Sequence, residues 1–435
     1  MGKYLKLFET HSQYEAYVVG GEYLRPNVSH CISEDDVHYT IPIDWSREYF
    51  TIESLEDSNT IYLKATDTSV TKTISASTDN GETWQEYTST NTGSGTTLAT
   101  LNNGDKLLIK GQNETYATTS SYYNQFISTG QFEVKGNIMS LISGDSFTNA
   151  DELTTSFTFN NLFYGCSGLT SAENLVLPAT TLADSCYRYM FSDCTSLTTA
   201  PELPATTLAE WCYGGMFSNC TSLTTMPELP ATTLANNCYS NMFRSCTSLT
   251  TTPELPATTL ANNCYDSMFY GCTGLATAPD LPATTLVDRC YSSMFQGCTG
   301  LTTAPELPAT TLASNCYNSM FYGCRSLTTA PELPATTLAQ YCYNNMFYGC
   351  TGLATAPELP ATTLVSNCYN SMFRNCSSLS YIKAMFTTTP SASYTSNWVS
   401  GVASTGTFVK NVSATWTTTG VHGVPTGWTV QKVSA

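Results

Sequence analysis

Hydrophobic and polar positions repeat with a fixed period over the C-terminal two-thirds of the chain. The pair Leu-Pro recurs eight times at steps of 26 residues, from Leu177 to Leu359, without insertion or deletion. One unit reads LPATTLANNCYSNMFRSCTSLTTTPE. Self-similarity at such a period is typical of stacked repeats, in which each coil buries its apolar residues against the next. The pattern therefore predicts a solenoid.

Atypical copies bound this array. Phe163, Cys166 and Leu169 form a worn copy that precedes it, with two additional residues before Leu177. After Cys376 the pattern decays into LSYIKAMF. Because the open ends of a solenoid must be capped, terminal repeats are expected to differ from the middle ones. We therefore place the repeat region at residues 155–385.

Comparison of the copies separates packed positions from exposed ones. A side chain that stacks on its own counterpart in the next coil cannot change freely, whereas a side chain facing water can. The variable positions form pairs, at 184–185, 188–189 and 192–193 in the first full unit, and are predicted to be exposed. The segment CYxxMFxxC is predicted to form one helical or 3₁₀ turn, between the extended pieces LTTAP and LPATTLA. The predicted core positions of that unit are Leu182, Cys186, Met190, Phe191, Cys194 and Leu197, with Tyr187 at least partly buried.

The pattern MFxxCxxL, followed by LP and a further Leu, resembles the BspA-type leucine-rich repeats of bacterial surface proteins. The resemblance covers about residues 155–385, with eight copies in phase. It implies a right-handed leucine-rich-repeat solenoid that is used for adhesion or recognition.

The segments that flank the repeats have strand-like patterns. Residues 46–145 alternate β-rich runs with Gly, Asn and Asp turns, which predicts a small antiparallel β-sandwich acting as a spacer. The runs are YFTIESL, TIYLKA, KTISAS, DKLLIKG and GQFEVKG. Within it, residues 77–84 match the Asp-box S-x-D-x-G-x-T-W and resemble the structural hairpins of sialidases and related propellers. We predict a hairpin there. Residues 386–435 are predicted to form β-hairpins that cap the last coil, so the fold class is mainly β.

Residues 1–45 are too few for an independent domain and are predicted to be a docking segment. A short helix is expected over residues 4–19, and an irregular segment over residues 25–40. The segment resembles the N-terminal leaders of virion-associated proteins of phages and prophages of gut Bacteroidales, which implies docking on other virion proteins. Since it has no apolar signal core and no cleavage site, we expect a chain made without an export signal. No apolar run is long enough to insert into a membrane.

Charge narrows the classes of partner. The chain has 34 Asp and Glu against 17 Lys and Arg, a formal net charge of −17. Binding to nucleic acid needs a basic footprint, so nucleic acid is not an expected partner. One acidic residue follows a Pro in each repeat, and like charges about 5 Å apart repel, so this column should face water. Recruitment of cations such as Ca²⁺ is the alternative. The acidic column comprises Glu202, Glu228, Glu254, Asp280, Glu306, Glu332 and Glu358.

Seventeen of the 18 cysteines belong to the repeats. From Cys186 onward their spacings alternate between 8 and 18 residues, with no Cys-x₂-Cys and no His in any repeat, which excludes ordinary zinc patterns. We predict reduced, buried thiols that pack as small apolar groups. A disulfide within each coil is the alternative. No metal and no cofactor are expected.

The variable pairs carry aromatic residues and arginines among Asn and Ser. Exposed side chains of these types are typical of recognition surfaces, including those that bind sugars, although neutral variation on a scaffold would also produce them. All four His lie outside the array, and no nucleophile or phosphate-binding motif is present, so we expect no catalytic residues. The candidate ligand-binding residues are Arg188, Tyr189, Trp211, Arg244, Tyr270, Arg289, Tyr322, Arg325, Tyr341, Tyr348 and Arg374.

These features predict a non-enzymatic structural or adhesion protein. The leading hypothesis is a phage fibre or decoration protein that resides on the virion and binds bacterial-surface or gut glycans or proteins. The alternative is a secreted BspA-like adhesin at the bacterial cell surface. The sequence leaves homo-oligomerisation open.

Overall fold

The computed structural model describes residues 43–434 in full and, before them, the backbone of three short strands. These strands are β1 (Leu7–Phe8), β2 (Ser29–Ile32) and β3 (Val37–Thr40). They form a small sheet in which β1 runs parallel to β2, and β2 runs antiparallel to β3.

Two expectations for the N-terminal segment fail where the backbone is described. The helix predicted over residues 4–19 is wrong at β1, which is extended. The irregular segment predicted over residues 25–40 contains the antiparallel pair β2 and β3. At β1 pairing with the distant strand β2 overrides the local pattern, whereas β2 and β3 form a local antiparallel pair that the sequence did not indicate. The rest of the predicted docking segment, up to residue 42, lies outside the described residues.

Residues 50–137 form two antiparallel sheets around a common apolar core. The larger sheet contains β11-β4-β9-β6-β7 and the smaller one β10-β5-β8. Every second residue of β5 is buried, as expected when one face of a strand packs on a core. This arrangement is consistent with the predicted antiparallel β-sandwich. The strands are β4 (Phe50–Ser54), β5 (Asn59–Ala65), β6 (Thr73–Ser77), β7 (Gln85–Thr88), β8 (Thr96–Leu101), β9 (Lys106–Gly111), β10 (Asn124–Ser128) and β11 (Phe132–Asn137).

The larger sheet continues into the repeats. After β11 come a short helix, α1 (Ser140–Ser143), and a 3₁₀ turn, followed by β12 (Leu169–Val176). Strand β12 belongs to the worn first copy and pairs in parallel with β11. The ring of Phe163 lies 5.8 Å from that of Phe126 in the smaller sheet. The two sheets therefore cover the N-terminal end of the array, and their core is continuous with that of the first coil.

Each repeat forms one coil that is stacked on the next through its backbone. The Tyr187 and Phe191 N–H groups donate to carbonyls of the following coil, 25 residues further along the chain, at 3.0 and 2.9 Å. Met190, between them, donates to the carbonyl of Tyr187 three residues back, at 3.2 Å. The same alternation recurs in the later coils. Most buried backbone donors on this side of the coil are thus satisfied without long strands.

The segment predicted as a helical or 3₁₀ turn is instead a run of tight turns. Ser185, Tyr189 and Asp193 have φ angles of 55°, 54° and 63°, and their counterparts in all later coils also have positive φ. This left-handed region is costly for most side chains and least so for Gly, Asn and Asp. The helix prediction is wrong because the frequent Asn, Ser and Gly at these positions are turn residues.

Apolar columns fill the inside of the coils. All the predicted core positions of the first full unit are buried, and Tyr187 is buried completely. The repeat tyrosines stack ring on ring with centroids 5.8–6.0 Å apart. The repeat phenylalanines stack at 5.4–5.9 Å. The predicted columns are confirmed, except that Leu208, Leu260 and Leu312 in the column of Leu182 are only half-buried.

Both cysteine columns lie in this interior. The 17 cysteines among residues 43–434 are free and buried. In the second column the thiol donates to a Phe carbonyl of the preceding coil, for example from Cys272 to Phe243 at 3.0 Å. Burial raises the pKa of Cys272 to about 12, so the thiol is neutral. Cysteine suits this position because it is small and apolar yet supplies one donor.

The C-terminal residues continue the stack. The N–H of Phe373 donates to the carbonyl of Trp398 at 2.8 Å, so Trp398 takes the place of the repeat methionine in a further coil. The predicted hairpins are wrong, because the last three strands pair in parallel, as successive coils do. The elements here are β13 (Tyr381–Ala384), α2 (Ala392–Thr395), β14 (Thr407–Asn411) and β15 (Thr429–Val433).

Candidate functional site

One part of each coil, residues 183–196 and their counterparts, carries all eleven candidate residues, and we call it the turn face. Its backbone alternates between hydrogen bonds to the next coil and tight turns, so each position of the turn face recurs once per coil at a fixed place. The prediction that its variable positions are exposed is wrong in part. Ser185 and Ser192 are 5% and 4% exposed, since a small side chain can be enclosed at a turn.

Five candidates belong to one column of the turn face, which we call the outer ladder. The guanidinium carbon of Arg244 lies 4.5 Å from the centroid of the Tyr270 ring. The rings of Tyr322 and Tyr348 stack at 4.4 Å with an angle of 8° between their planes. Arg374 lies over Tyr348 at 5.5 Å. The outer ladder comprises Arg244, Tyr270, Gln296, Tyr322, Tyr348 and Arg374, one from each of six successive coils.

The outer ladder presents the edges of its rings to a ligand. The faces of Tyr348 are occupied by Tyr322 on one side and Arg374 on the other. Its hydroxyl accepts a hydrogen bond from the Asn375 amide at 3.2 Å. Phenolic hydroxyls and guanidinium groups donate several hydrogen bonds at such edges. The ladder therefore suits a polar partner that lies along the stack.

Glycines flank the middle of the outer ladder. They have φ angles of 71–75° and leave a strip without side chains beside four ladder residues. The sequence alone did not single out this strip or Gln296, although their regular 26-residue spacing was a usable signal. The glycines are Gly271, Gly297, Gly323 and Gly349.

Three other candidates meet at the start of the array, and we call them the Arg188 cluster: Arg188, Tyr189 and Trp211. The Arg188 guanidinium carbon lies 4.1 Å from the Trp211 ring centroid and 4.9 Å from that of Tyr189. An Nη of Arg188 also donates to the Tyr189 hydroxyl at 3.4 Å. Stacking between aromatic rings and a guanidinium group fixes the orientation of the cation.

The remaining candidates join neither group. Arg289 and Arg325 are exposed, and Tyr341 is half-buried. Burial raises the pKa of Asp266, and the positive charge of Arg289 partly opposes this rise. The eleven predicted residues thus divide into a ladder of five, a cluster of three, and three separate side chains.

The acidic column faces water, as predicted, since all seven of its carboxylates are exposed. At its C-terminal end Lys383 pairs with Glu358 at 2.9 Å. Within residues 43–434, no group of three or more His, Cys, Asp or Glu side chains is arranged to hold a metal ion.

The Asp-box forms the turn of a hairpin between β6 and β7. Asp79 accepts hydrogen bonds from the Ser77 hydroxyl at 2.6 Å and from the Thr83 N–H at 2.9 Å. Led by the Ser77 bond, these interactions lower the pKa of Asp79 to about 2. The predicted hairpin is present, and its side chains are engaged in holding the turn.

The stack and its columns define a repeat protein whose outer ladder displays one side chain per coil on the turn face. Residues 158–302 and 262–397 match the family model of the BspA type leucine rich repeat region, in six copies. These ranges span more than half of the chain, which therefore belongs to this family. Repeats of this type suggest a surface or adhesion-type protein.

No curated protein and no solved structure matches the chain significantly. In the part of the chain that the structure describes, no helix has the length and apolar character needed to span a membrane.

Proposed function

We propose that this chain is a non-enzymatic recognition protein whose turn face binds glycans or proteins of a bacterial surface. The scaffold would be a right-handed leucine-rich-repeat solenoid preceded by an antiparallel β-sandwich. The outer ladder is the observation that supports the proposal most directly. Ser192 and Ser218 occupy its column in the first two full units, whereas the next six coils carry Arg, Tyr or Gln there. Tyr and Arg are enriched where proteins bind partners.

The burial of the repeat thiols and the exposure of the acidic column favour binding over catalysis. The repeat thiols are buried and their pKa values are raised, so they are poorly reactive at neutral pH. The acidic column offers one carboxylate per coil, and each is exposed to water rather than enclosed as a general acid usually is.

The protein could reside on either of two surfaces under this proposal, a phage particle or a bacterial cell. The resemblance of residues 1–45 to virion leaders favours a phage fibre or decoration protein docked on other virion proteins. The family match favours a cell-surface adhesin. Mass spectrometry separates the two, because only the virion protein would be recovered from purified phage particles.

The binding proposal can be tested with the full chain and a variant of the outer ladder. Tyr322 and Tyr348 are changed to Ser, which occupies this column in the first two full units. We expect binding of the labelled protein to gut Bacteroidales cells to weaken by roughly tenfold or more, about 1.4 kcal/mol. The matched control changes Glu254 and Glu306 of the acidic column to Gln and should bind like the wild type. Wild-type binding by the ladder variant would overturn the proposal.

A further inference from the structure

The beginning of the turn face departs from the later coils. Tyr189 has a φ of 54°, and the same position in all seven later units holds Gly, Ser or Asn. Trp211, in the next coil, has a φ of 58°. A bulky side chain in the left-handed region is strained, and such strain persists where the surroundings enforce it, often at binding sites.

The space around these rings is matched to them. A Cβ atom on Gly215 would lie 2.2 Å from a Tyr189 ring carbon, and one on Gly214 would lie 2.6 Å from a Trp211 ring carbon. No later unit has two glycines at this pair of positions. Two large side chains therefore occur together with the two glycines that leave room for them. This relation is expected of a built site rather than of independent substitutions.

Polar groups surround the rings. The Nε atom of Arg188 is buried without a hydrogen-bond partner, and this arginine forms no ion pair within the described residues. Asp193 accepts a hydrogen bond from the Asn219 amide at 2.8 Å. The charge of Asp193 also raises the pKa of Tyr164, which Tyr189 raises further. The backbone places Tyr164 beside Asp193, because the N–H of Gly165 donates to the carbonyl of Ser192 at 2.8 Å. The ring of Tyr164 also lies 6.3 Å from that of Tyr123, next to the smaller sheet.

From this juxtaposition we propose that the Arg188 cluster, with Tyr164, Asp193 and Asn219, binds a neutral pyranose sugar. The inference rests on the proposed function and assigns a ligand class to one part of the turn face. A pyranose has an apolar C–H face that packs on aromatic rings, and hydroxyls that both donate and accept. Arg188 supplies donors, Asp193 acceptors and Asn219 both.

The charges of the site favour a neutral sugar over an acidic one. Arg188 and Asp193 contribute one charge of each sign, so the site has no excess positive charge for a carboxylate or a sulfate. The formal net charge of −17 on the whole chain further disfavours the approach of an anion.

The test uses the full chain on a microarray of neutral and acidic oligosaccharides, followed by titration with the free neutral oligosaccharide that binds best. The cluster variant combines Tyr189→Ser and Trp211→Asn, residue types that later coils place at these positions. These types suit the backbone, so the variant should fold, and thermal unfolding checks this. We expect its dissociation constant to rise about tenfold or more. The matched control, Glu254→Gln with Glu306→Gln in the acidic column, should keep the wild-type constant.

Three results would overturn this inference: unchanged sugar binding by the cluster variant, binding of acidic sugars alone, and binding of no sugar at all. The last result would leave the proposed function standing if the outer-ladder variant still lost its binding to cells. Conversely, sugar binding that depends on the cluster would survive a failure of the ladder experiment.

Discussion

The inner columns and the turn face repeat with the same period, yet they tolerate change very differently. Inside the coils, Phe stacks on Phe and Tyr on Tyr at nearly constant distances from Tyr187 and Phe191 onward. On the turn face, Ser, Arg, Tyr and Gln succeed one another in one column. A buried ring must fit the identical ring of the next coil, whereas an outer side chain has water as its alternative neighbour.

The turn face is itself under a second constraint, which comes from the backbone. Every fourth residue has positive φ, so Asn, Ser and Gly at these places reflect conformation and give no evidence of binding. The informative residues are those that oppose this preference, namely Tyr189, Trp211, Arg289 and Tyr341. Variation alone is thus a weak indicator of function, and variation against a local preference is a stronger one.

Raising the pH is the most severe test of the contrast between the inner columns and the turn face. Burial raises the pKa of the inner thiols, for example of Cys166 and Cys272 to about 12, above the ordinary value of 9.0. The neutral thiol is favoured in the fold, so its contribution to stability is complete below pH 9.0 and is lost as the pH rises toward the folded values. Each thiol loses up to about 1.4 kcal/mol per pH unit in that range. With 17 such thiols, we expect cooperative unfolding between about pH 9 and 11.

Far-ultraviolet circular dichroism and thiolate absorbance should change together in this titration. A chain that remains folded while its thiols ionise near pH 9 would show that the inner columns admit water, and the contrast with the turn face would fail.

Most of the interior was predictable from the sequence, because identical stacking forces the same residue to recur. Strands β4, β5, β6, β9 and β11 were also predicted within a few residues, since their alternation is strong. Strands β8 and β10 were missed, because TTLATL and NQFIS alternate weakly. Strands β14 and β15 were recognised and β13 was not, and their parallel pairing depends on the stack below them, which local patterns do not describe.

The candidate site was predictable only in part. Tyr322 and Tyr348 are one period apart, so their contact follows from the repeat itself. The role of Gly214 and Gly215 was missed, because a glycine becomes informative only when the ring above it is known. Tyr164 was also missed, although the alignment of Phe163 with Phe191 places it one residue before the counterpart of Asp193.

A pair of alanine substitutions measures the contrast between inside and outside directly. Phe269 is completely buried and stacks on both neighbouring rings, at 5.8 and 5.7 Å. Removing it should lower the free energy of unfolding by about 3–5 kcal/mol, through lost burial and a residual cavity. Tyr322→Ala in the outer ladder is the matched control and should cost about 1 kcal/mol or less. Urea unfolding followed by circular dichroism gives both values, and equal costs would contradict the distinction.

The smallest effect concerns the backbone constraint on the turn face. Arg289 has a φ of 57°, and the same position holds Asn in four of the eight units, as at Asn263 and Asn315. Because Asn tolerates the left-handed region better, Arg289→Asn should raise the free energy of unfolding by about 0.5–1 kcal/mol. Asp288→Asn, one residue earlier and without positive φ, is the control and should change stability by less than about 0.5 kcal/mol. A loss of stability in Arg289→Asn would mean that the contacts of the arginine outweigh its backbone strain. Large side chains at positive φ, such as Trp211, would then need no function to explain them.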